Sequence, residues 1–173
     1  MSSEKELIER ASAEAFLAHY NIAVGTDYII VEHSDAPDIK CKNSIGEELN
    51  LEITLTEDRV GDIPAVLGRS QHKSFESQRA HLDMVKQGKA NIFERVSSLS
   101  WNVSDTLLQR ILAKSNKDYG DNVALVIRDS SPVGWDWEHA IPDIVKSLNN
   151  TILPFSKGVW LVTYTKDRII QIV

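Results

Sequence analysis

The sequence predicts one α/β domain organised around a mixed β-sheet that is flanked by helices. Stripes of apolar residues with helical spacing alternate along the chain with short β-branched runs, and no proline-rich or serine-rich linker divides it. The 173 residues are enough for a hydrophobic core that buries roughly two-thirds of the unfolded surface. With 42% hydrophobic and 25% charged residues, the composition is that of an ordinary globular protein. We therefore expect a single domain over residues 1–173.

The first part of the chain predicts a helix followed by three strands. Apolar residues at spacings of three and four predict a helix over Glu4–Tyr20. The β-branched residues of Tyr28–Val31 favour a short buried strand, and Asp38–Asn43 can form a second strand. In Leu49–Thr56 apolar and polar residues alternate strictly, which is the period of a strand. Glu52 and the other polar residues of that strand must therefore meet solvent or a polar cleft.

The second part of the chain predicts helices that alternate with strands. Glycine and proline residues indicate a loop over residues 58–70, and residues 58–102 can form a helical insertion with a helix at 74–87 and another helical turn or two at 91–100. The elements expected after it are the helix Asp105–Lys114 capped by Ser104, the strand Asn122–Arg128, the helix Trp137–Leu148, and the strands Val159–Thr163 and Arg168–Val173. The predicted order is αβββ, a helical section, then βαββ.

Composition and charge exclude some classes of protein and argue against others. The single cysteine, Cys41, excludes an intrachain disulfide and a cysteine-rich zinc module. No uncharged run reaches the length of a membrane span, and residues 1–10 carry charges where a signal peptide is apolar, so we expect a cytoplasmic protein without membrane contact. The formal net charge of −6 argues against a broadly basic surface for nucleic acid. A local cluster of lysines and arginines beside a metal ion is still compatible with nucleic-acid binding.

Two carboxylates are candidates for a divalent-metal site. Glu52 lies on the polar face of the alternating strand, and a neighbouring strand that begins at Asp38 would place a second carboxylate within metal-bridging distance. Mg²⁺ takes oxygen ligands, commonly one or two carboxylates together with waters and substrate phosphate, and Mn²⁺ accepts the same ligands. Taken separately, Asp38 is also an ordinary turn residue after Pro37, and Glu52 is compatible with the solvated side of an antiparallel sheet.

The motif Pro37-Asp38 followed by Glu52-Ile53-Thr54 resembles the PD-(D/E)xK nuclease superfamily, whose fold is called restriction-endonuclease-like. The resemblance covers most of the core, from the first helix to the strand at 122–128. It implies that a hairpin carries Asp38 and Glu52 and that the first helix supplies a glutamate, with Glu14 as first candidate and Glu9 as second. The segments that look like a branch of uncharacterised bacterial nuclease-like domains are Leu49–Thr56, Ile111, Lys114, Tyr119 and Leu125–Ile127.

One position departs from the superfamily pattern, because Thr54 stands where the superfamily has a lysine that positions or activates the attacking water. Threonine is uncharged and too weak an acid or base to replace that lysine. The resemblance therefore implies a cation from elsewhere in the chain. Lys40 is the first candidate, because it shares a face with Asp38 in an undistorted strand, and Lys42 and Lys114 follow.

The activity implied by the resemblance is metal-assisted hydrolysis of a phosphodiester in DNA or RNA. Asp38 and Glu52 would be ligands of Mg²⁺ or Mn²⁺, Glu14 would orient groups around them, and Lys40 or Lys114 would be the electrostatic partner. The alternative is a catalytically silent scaffold that binds a protein or a nucleic acid. Related folds often act as homodimers, which is compatible with this sequence but is not indicated by it.

A tryptophan pair at Trp135-Asp136-Trp137 has two interpretations. Indole rings stack on bases or line the groove of a partner. The simpler alternative is that they pin a loop to the hydrophobic core at the start of the predicted helix.

Overall fold

A computed structural model of the chain describes residues 4–56, 87–88, 103–130 and 136–173. The helices and strands in these ranges are α1 (Glu4–Val24), β1 (Ile29–His33), β2 (Ile39–Lys42), β3 (Glu48–Leu55), α2 (Val103–Ser115), β4 (Val123–Arg128), α3 (Trp137–Leu148), β5 (Val159–Val162) and β6 (Ile169–Gln171). The α/β class is therefore confirmed. The helices predicted within 58–102 lie outside the described residues, apart from Gln87 and Gly88.

The six strands form one mixed sheet in which sequence neighbours are also spatial neighbours, in the order β1-β2-β3-β4-β5-β6. The pairs β1–β2, β2–β3 and β5–β6 are antiparallel, whereas β3–β4 and β4–β5 are parallel. A parallel pair requires a crossover connection, and the two crossovers contain α2 and α3. The mixed sheet flanked by helices that the sequence predicts is thus present.

The sheet separates two hydrophobic cores. On one face, α1 packs through residues such as Phe16 against Leu49, Leu51 and Ile53 of β3. On the other face, the helices α2 and α3 cover the residues Val123, Leu125, Ile127, Val159 and Leu161 of the central strands. Because successive side chains of a strand point to opposite faces, Glu52 of β3 points to the side of the sheet that α2 covers.

The prediction of a buried first strand is wrong. β1 begins at Ile29 and lies at the edge of the sheet, where Ile29 is 65% and Val31 50% exposed. Ile30 alone among its apolar residues packs against the core beneath α1. A run of β-branched residues indicates a strand, but it cannot distinguish an edge strand, which has one neighbour, from a central one.

Trp137 begins α3 as a buried residue, and its indole Nε1 donates a hydrogen bond to Oδ2 of the buried Asp129 at 2.8 Å. This arrangement supports the interpretation of Trp137 as a residue that pins the helix to the sheet. Trp135 lies outside the described residues. In the parts of the chain that are described, no helix combines the length and the apolar character that a membrane span requires.

Candidate functional site

The β2–β3 hairpin brings Asp38 and Glu52 side by side. Asp38 directly precedes β2, and the antiparallel register pairs Ile39 with Leu51, so one further step along both strands places Asp38 opposite Glu52. Oδ2 of Asp38 accepts a hydrogen bond from the backbone N–H of Ile53 at 2.8 Å, which holds this carboxylate against β3. Asp38 and Glu52 are each only 3% exposed. Two acids that are distant in the sequence thus share one buried pocket.

The charged form of Asp38 is unfavourable in this pocket. Burial raises the pKa of Asp38 from 3.8 to about 6, and the neighbouring charges of Glu52 and Glu9 add to the rise. The hydrogen bond from the Ile53 N–H and the charge of Lys114 act in the opposite direction. The negative charges around Asp38 therefore outweigh the positive ones, and an additional cation would favour its ionised form.

Lys114, near the end of α2, places its ammonium next to the acid pair of Asp38 and Glu52. Its Nζ lies 2.6 Å from Oε1 of Glu52, and its side chain is 27% exposed. The lysine therefore comes from the helix that covers this face of the sheet, while Thr54, the position of the superfamily lysine, is half-buried two residues beyond Glu52. Oε2 of Glu52 is buried and has no hydrogen-bond partner among the described residues.

Lys40 and Lys42, the other two lysines considered, are engaged elsewhere. Lys40 is the register partner of Glu32 in β1, and its Nζ lies 3.2 Å from Oε2 of that residue. Lys42 is the register partner of Glu48, and its Nζ lies 3.0 Å from Oε1 of Glu48. The expectation that Lys40 serves the acid pair is thus not met, because a long side chain on a strand reaches the carboxylate directly opposite to it.

The glutamate that α1 contributes next to the acid pair is Glu9. Its side chain is 7% exposed, its Oε1 lies 3.1 Å from Nζ of Lys5, and its Oε2 lies 2.8 Å from Nε2 of His33. The same Lys5 ammonium lies 3.9 Å from Oδ1 of Asp38. Lys5 and His33 are members of this network that the sequence did not reveal. The only sequence signal for either was the spacing of Lys5 and Glu9, which places them on one helical face.

Glu14, the first candidate for the helical glutamate, lies outside this network. Its side chain is 59% exposed and pairs with Arg10 at 3.0 Å. Five positions along an α-helix correspond to a rotation of about 140°, so Glu9 and Glu14 face different surroundings. The second candidate, Glu9, therefore occupies the place that the sequence assigned first to Glu14.

Tyr119, in the connection between α2 and β4, completes the pocket. It is 6% exposed, and its hydroxyl has no hydrogen-bond partner within the described ranges. Burial raises the pKa of this hydroxyl above its ordinary value, and the nearby charges of Glu52 and Asp38 raise it further. The phenol is therefore protonated at neutral pH and available as a donor.

The residues present suit a hard divalent cation better than zinc. Within residues 4–56, 87–88, 103–130 and 136–173, no group of three or more His, Cys, Asp or Glu side chains is arranged to hold a metal ion. Asp38 and Glu52 supply two carboxylates, and the unpartnered Oε2 of Glu52 is free to accept a ligand. Mg²⁺ keeps several waters and needs only one or two carboxylates, whereas structural zinc needs four protein ligands.

No protein-family model, no curated protein and no solved structure matches this chain. The chemistry of the site therefore has to be inferred from its own residues.

Proposed function

We propose that this protein is a nuclease that hydrolyses phosphodiester bonds of DNA or RNA with the help of Mg²⁺ or Mn²⁺. One observation carries the proposal: the buried carboxylates of Asp38 and Glu52 share a pocket with the Lys114 ammonium, 2.6 Å from Glu52. These are the groups implied by the resemblance to the PD-(D/E)xK superfamily, with Lys114 in the role of the lysine that Thr54 replaces.

Each residue has a distinct role in this proposal. Asp38 and Glu52 would hold the cation, which would make a water more acidic and offset negative charge on the phosphate. The Lys114 ammonium, anchored by Glu52, orients the attacking water and stabilises the charge that develops on the phosphorus oxygens. The water oxygen forms a bond to phosphorus while the bond to the leaving sugar oxygen breaks; the attacking water gives up a proton to solvent, and the leaving oxygen takes up a proton from solvent.

The charge distribution around the pocket supports a cation and then a phosphate. Burial is the main cause of the raised pKa of Asp38, and the charges of Glu52 and Glu9 add to it. A divalent ion beside Asp38 would favour its ionised form against both effects. At the edge of the pocket, Lys5 has a side chain that is 72% exposed although it contacts the buried Glu9. An exposed ammonium at this position is available to a phosphate oxygen, as expected of a local basic element in an acidic protein.

The experiment is a cleavage assay with single-stranded and double-stranded DNA and with RNA, each with Mg²⁺ or Mn²⁺. Wild-type protein should cleave at least one substrate, whereas Asp38→Ala/Glu52→Ala and Lys114→Met should lose the activity. Lys40→Met is the matched control, because Lys40 pairs with Glu32 on the edge strand and should be dispensable. Circular dichroism confirms that each variant folds. Absence of cleavage, or cleavage that survives the double substitution, would contradict the proposal.

A non-catalytic scaffold is the second candidate, and the contact between Lys114 and Glu52 favours it, because a carboxylate that already has an ammonium partner needs no metal. The two candidates differ in their response to metal. A cation that binds only the folded protein raises the melting temperature by mass action. A melting temperature that is unchanged by Mn²⁺, together with no cleavage, would support the scaffold.

A further inference from the structure

Two buried oxygens without a hydrogen-bond partner belong to the same pocket. In the described part of the chain, the buried side-chain oxygens that lack a partner are Glu52 Oε2, the Tyr119 hydroxyl and Ser130 Oγ. A polar group that is buried without a hydrogen bond is unfavourable, so such atoms are uncommon and each needs an explanation. The same explanation applies to Glu52 and Tyr119, because an acceptor and a donor are both without a partner at one site.

Packing fixes the ring of Tyr119 while its hydroxyl remains free to donate. The ring lies in the hydrophobic cluster beneath α2, with its centroid 5.8 Å from that of Phe155. At the polar end of the ring, Glu52 acts on the hydroxyl through its charge and as a nearby acceptor, and Asp38 acts on it through its charge. Neither the hydroxyl nor Oε2 of Glu52 forms a hydrogen bond within the described residues. The hydroxyl is the only donor that a tyrosine has, and a carboxylate oxygen is the strongest acceptor in this pocket.

We propose that Tyr119 is a positioning residue of the candidate metal site, whose hydroxyl donates a hydrogen bond to Oε2 of Glu52 while Lys114 contacts Oε1. This inference rests on the proposed function. An ionised carboxylate oxygen has two lone-pair sites, so Oε2 can accept from Tyr119 and still bind a cation. Side chains that orient a metal-binding carboxylate change metal affinity or activity by about 10–100-fold when they are replaced.

The first measurement is the dissociation constant for Mn²⁺ in the absence of nucleic acid, by titration calorimetry or electron paramagnetic resonance. Tyr119→Phe removes only the hydroxyl and should weaken Mn²⁺ binding about 10-fold or more. Tyr20→Phe is the matched control, because Tyr20 is 8% exposed and packs on Phe16 and Trp160 in the opposite core. Unchanged Mn²⁺ affinity in Tyr119→Phe would overturn the positioning role.

A second measurement does not depend on metal. In the metal-free protein, the effects of Tyr119→Phe and of Glu52→Leu, which has no acceptor, on the unfolding equilibrium constant are compared with the effect of the double variant. A contact between the two side chains predicts a coupling of about three-fold or more, whereas independent side chains give additive effects. Additive effects would exclude the contact. If wild-type protein binds no Mn²⁺, the proposed function fails, and this cycle alone decides whether Tyr119 holds Glu52.

Discussion

Replacement of Asp38 by asparagine should stabilise the folded protein at neutral pH although it removes a buried acid of the candidate site. The pKa of Asp38 rises from 3.8 to about 6, mainly because burial disfavours its charge. The folded state therefore binds this proton more tightly than the unfolded state, and the free energy of unfolding falls as the pH rises from about 4 through about 6. At about 1.4 kcal/mol for each pH unit between these two pKa values, the ionised Asp38 lowers the free energy of unfolding at pH 7.5 by about 3 kcal/mol.

Asparagine has nearly the same shape and no charge, and its side-chain oxygen can still accept the hydrogen bond from the Ile53 N–H. We expect Asp38→Asn to be more stable than wild type by about 1–3 kcal/mol at pH 7.5. The difference should fall below about 1 kcal/mol near pH 4, where Asp38 is protonated in the folded state and partly protonated in the unfolded state. Urea denaturation of both proteins at half-unit steps between pH 4 and pH 8 measures this difference.

Asp167 provides a control of opposite sign. It is exposed, and hydrogen bonds from Thr165 and Thr163 lower its pKa, so its charge is favourable in the folded state. Asp167→Asn should therefore gain nothing at neutral pH and should not show the crossover between pH 4 and pH 6. If Asp38→Asn is no more stable than wild type at pH 7.5, or if its advantage persists at pH 4, then the proposed electrostatic strain at Asp38 is wrong.

Two further predictions concern the fold. Gly158 has a φ of +85°, and a Cβ there would lie 2.5 Å from the backbone oxygen of Val173. Gly158→Ala should therefore lower the free energy of unfolding by more than about 1 kcal/mol. An unchanged melting temperature would contradict this prediction. Trp137→Phe removes the hydrogen bond to the buried Asp129. It should lower the free energy of unfolding, measured by urea denaturation, by about 1–3 kcal/mol. A loss no larger than that of an exposed substitution such as Tyr164→Phe would show that the indole does not pin α3.

The acid pair was predictable because the information that places it is local. Alternation in Leu49–Thr56 fixes the face of Glu52, and a short polar connection sets the register of the hairpin. In that connection Asn43 and Glu47 exchange backbone and side-chain hydrogen bonds, and Gly46 adopts a φ of +86°. Each of these features can be inferred from residue types within a few positions, so Asp38 falls opposite Glu52 without knowledge of the rest of the fold.

The choice of the cation and of the helical glutamate was not predictable in the same way. Lys40 shares a face with Asp38, but Glu32 on the next strand lies directly opposite and takes its ammonium. Lys114 reaches Glu52 only because the crossover from β3 to β4 lays α2 on that face of the sheet. Such placements depend on the packing of elements distant in sequence, for which residue spacing alone carries no information.

Nearby positive groups offset the negative charges of Asp38 and Glu52 to different extents. This difference indicates which of the two acids a cation would affect more. Glu52 has the Lys114 ammonium at 2.6 Å, whereas the ammonium nearest to Asp38 among the described residues is that of the exposed Lys5 at 3.9 Å. An exposed charge is screened by water and contributes little to a buried carboxylate. The ionised form of Asp38 is therefore stabilised mainly by the Ile53 N–H and only weakly by the charge of Lys114, so it would gain more than Glu52 from a divalent ion. Because that ion would favour the ionised form, its binding should be tighter at pH 7.5 than at pH 5, where Asp38 must first release its proton.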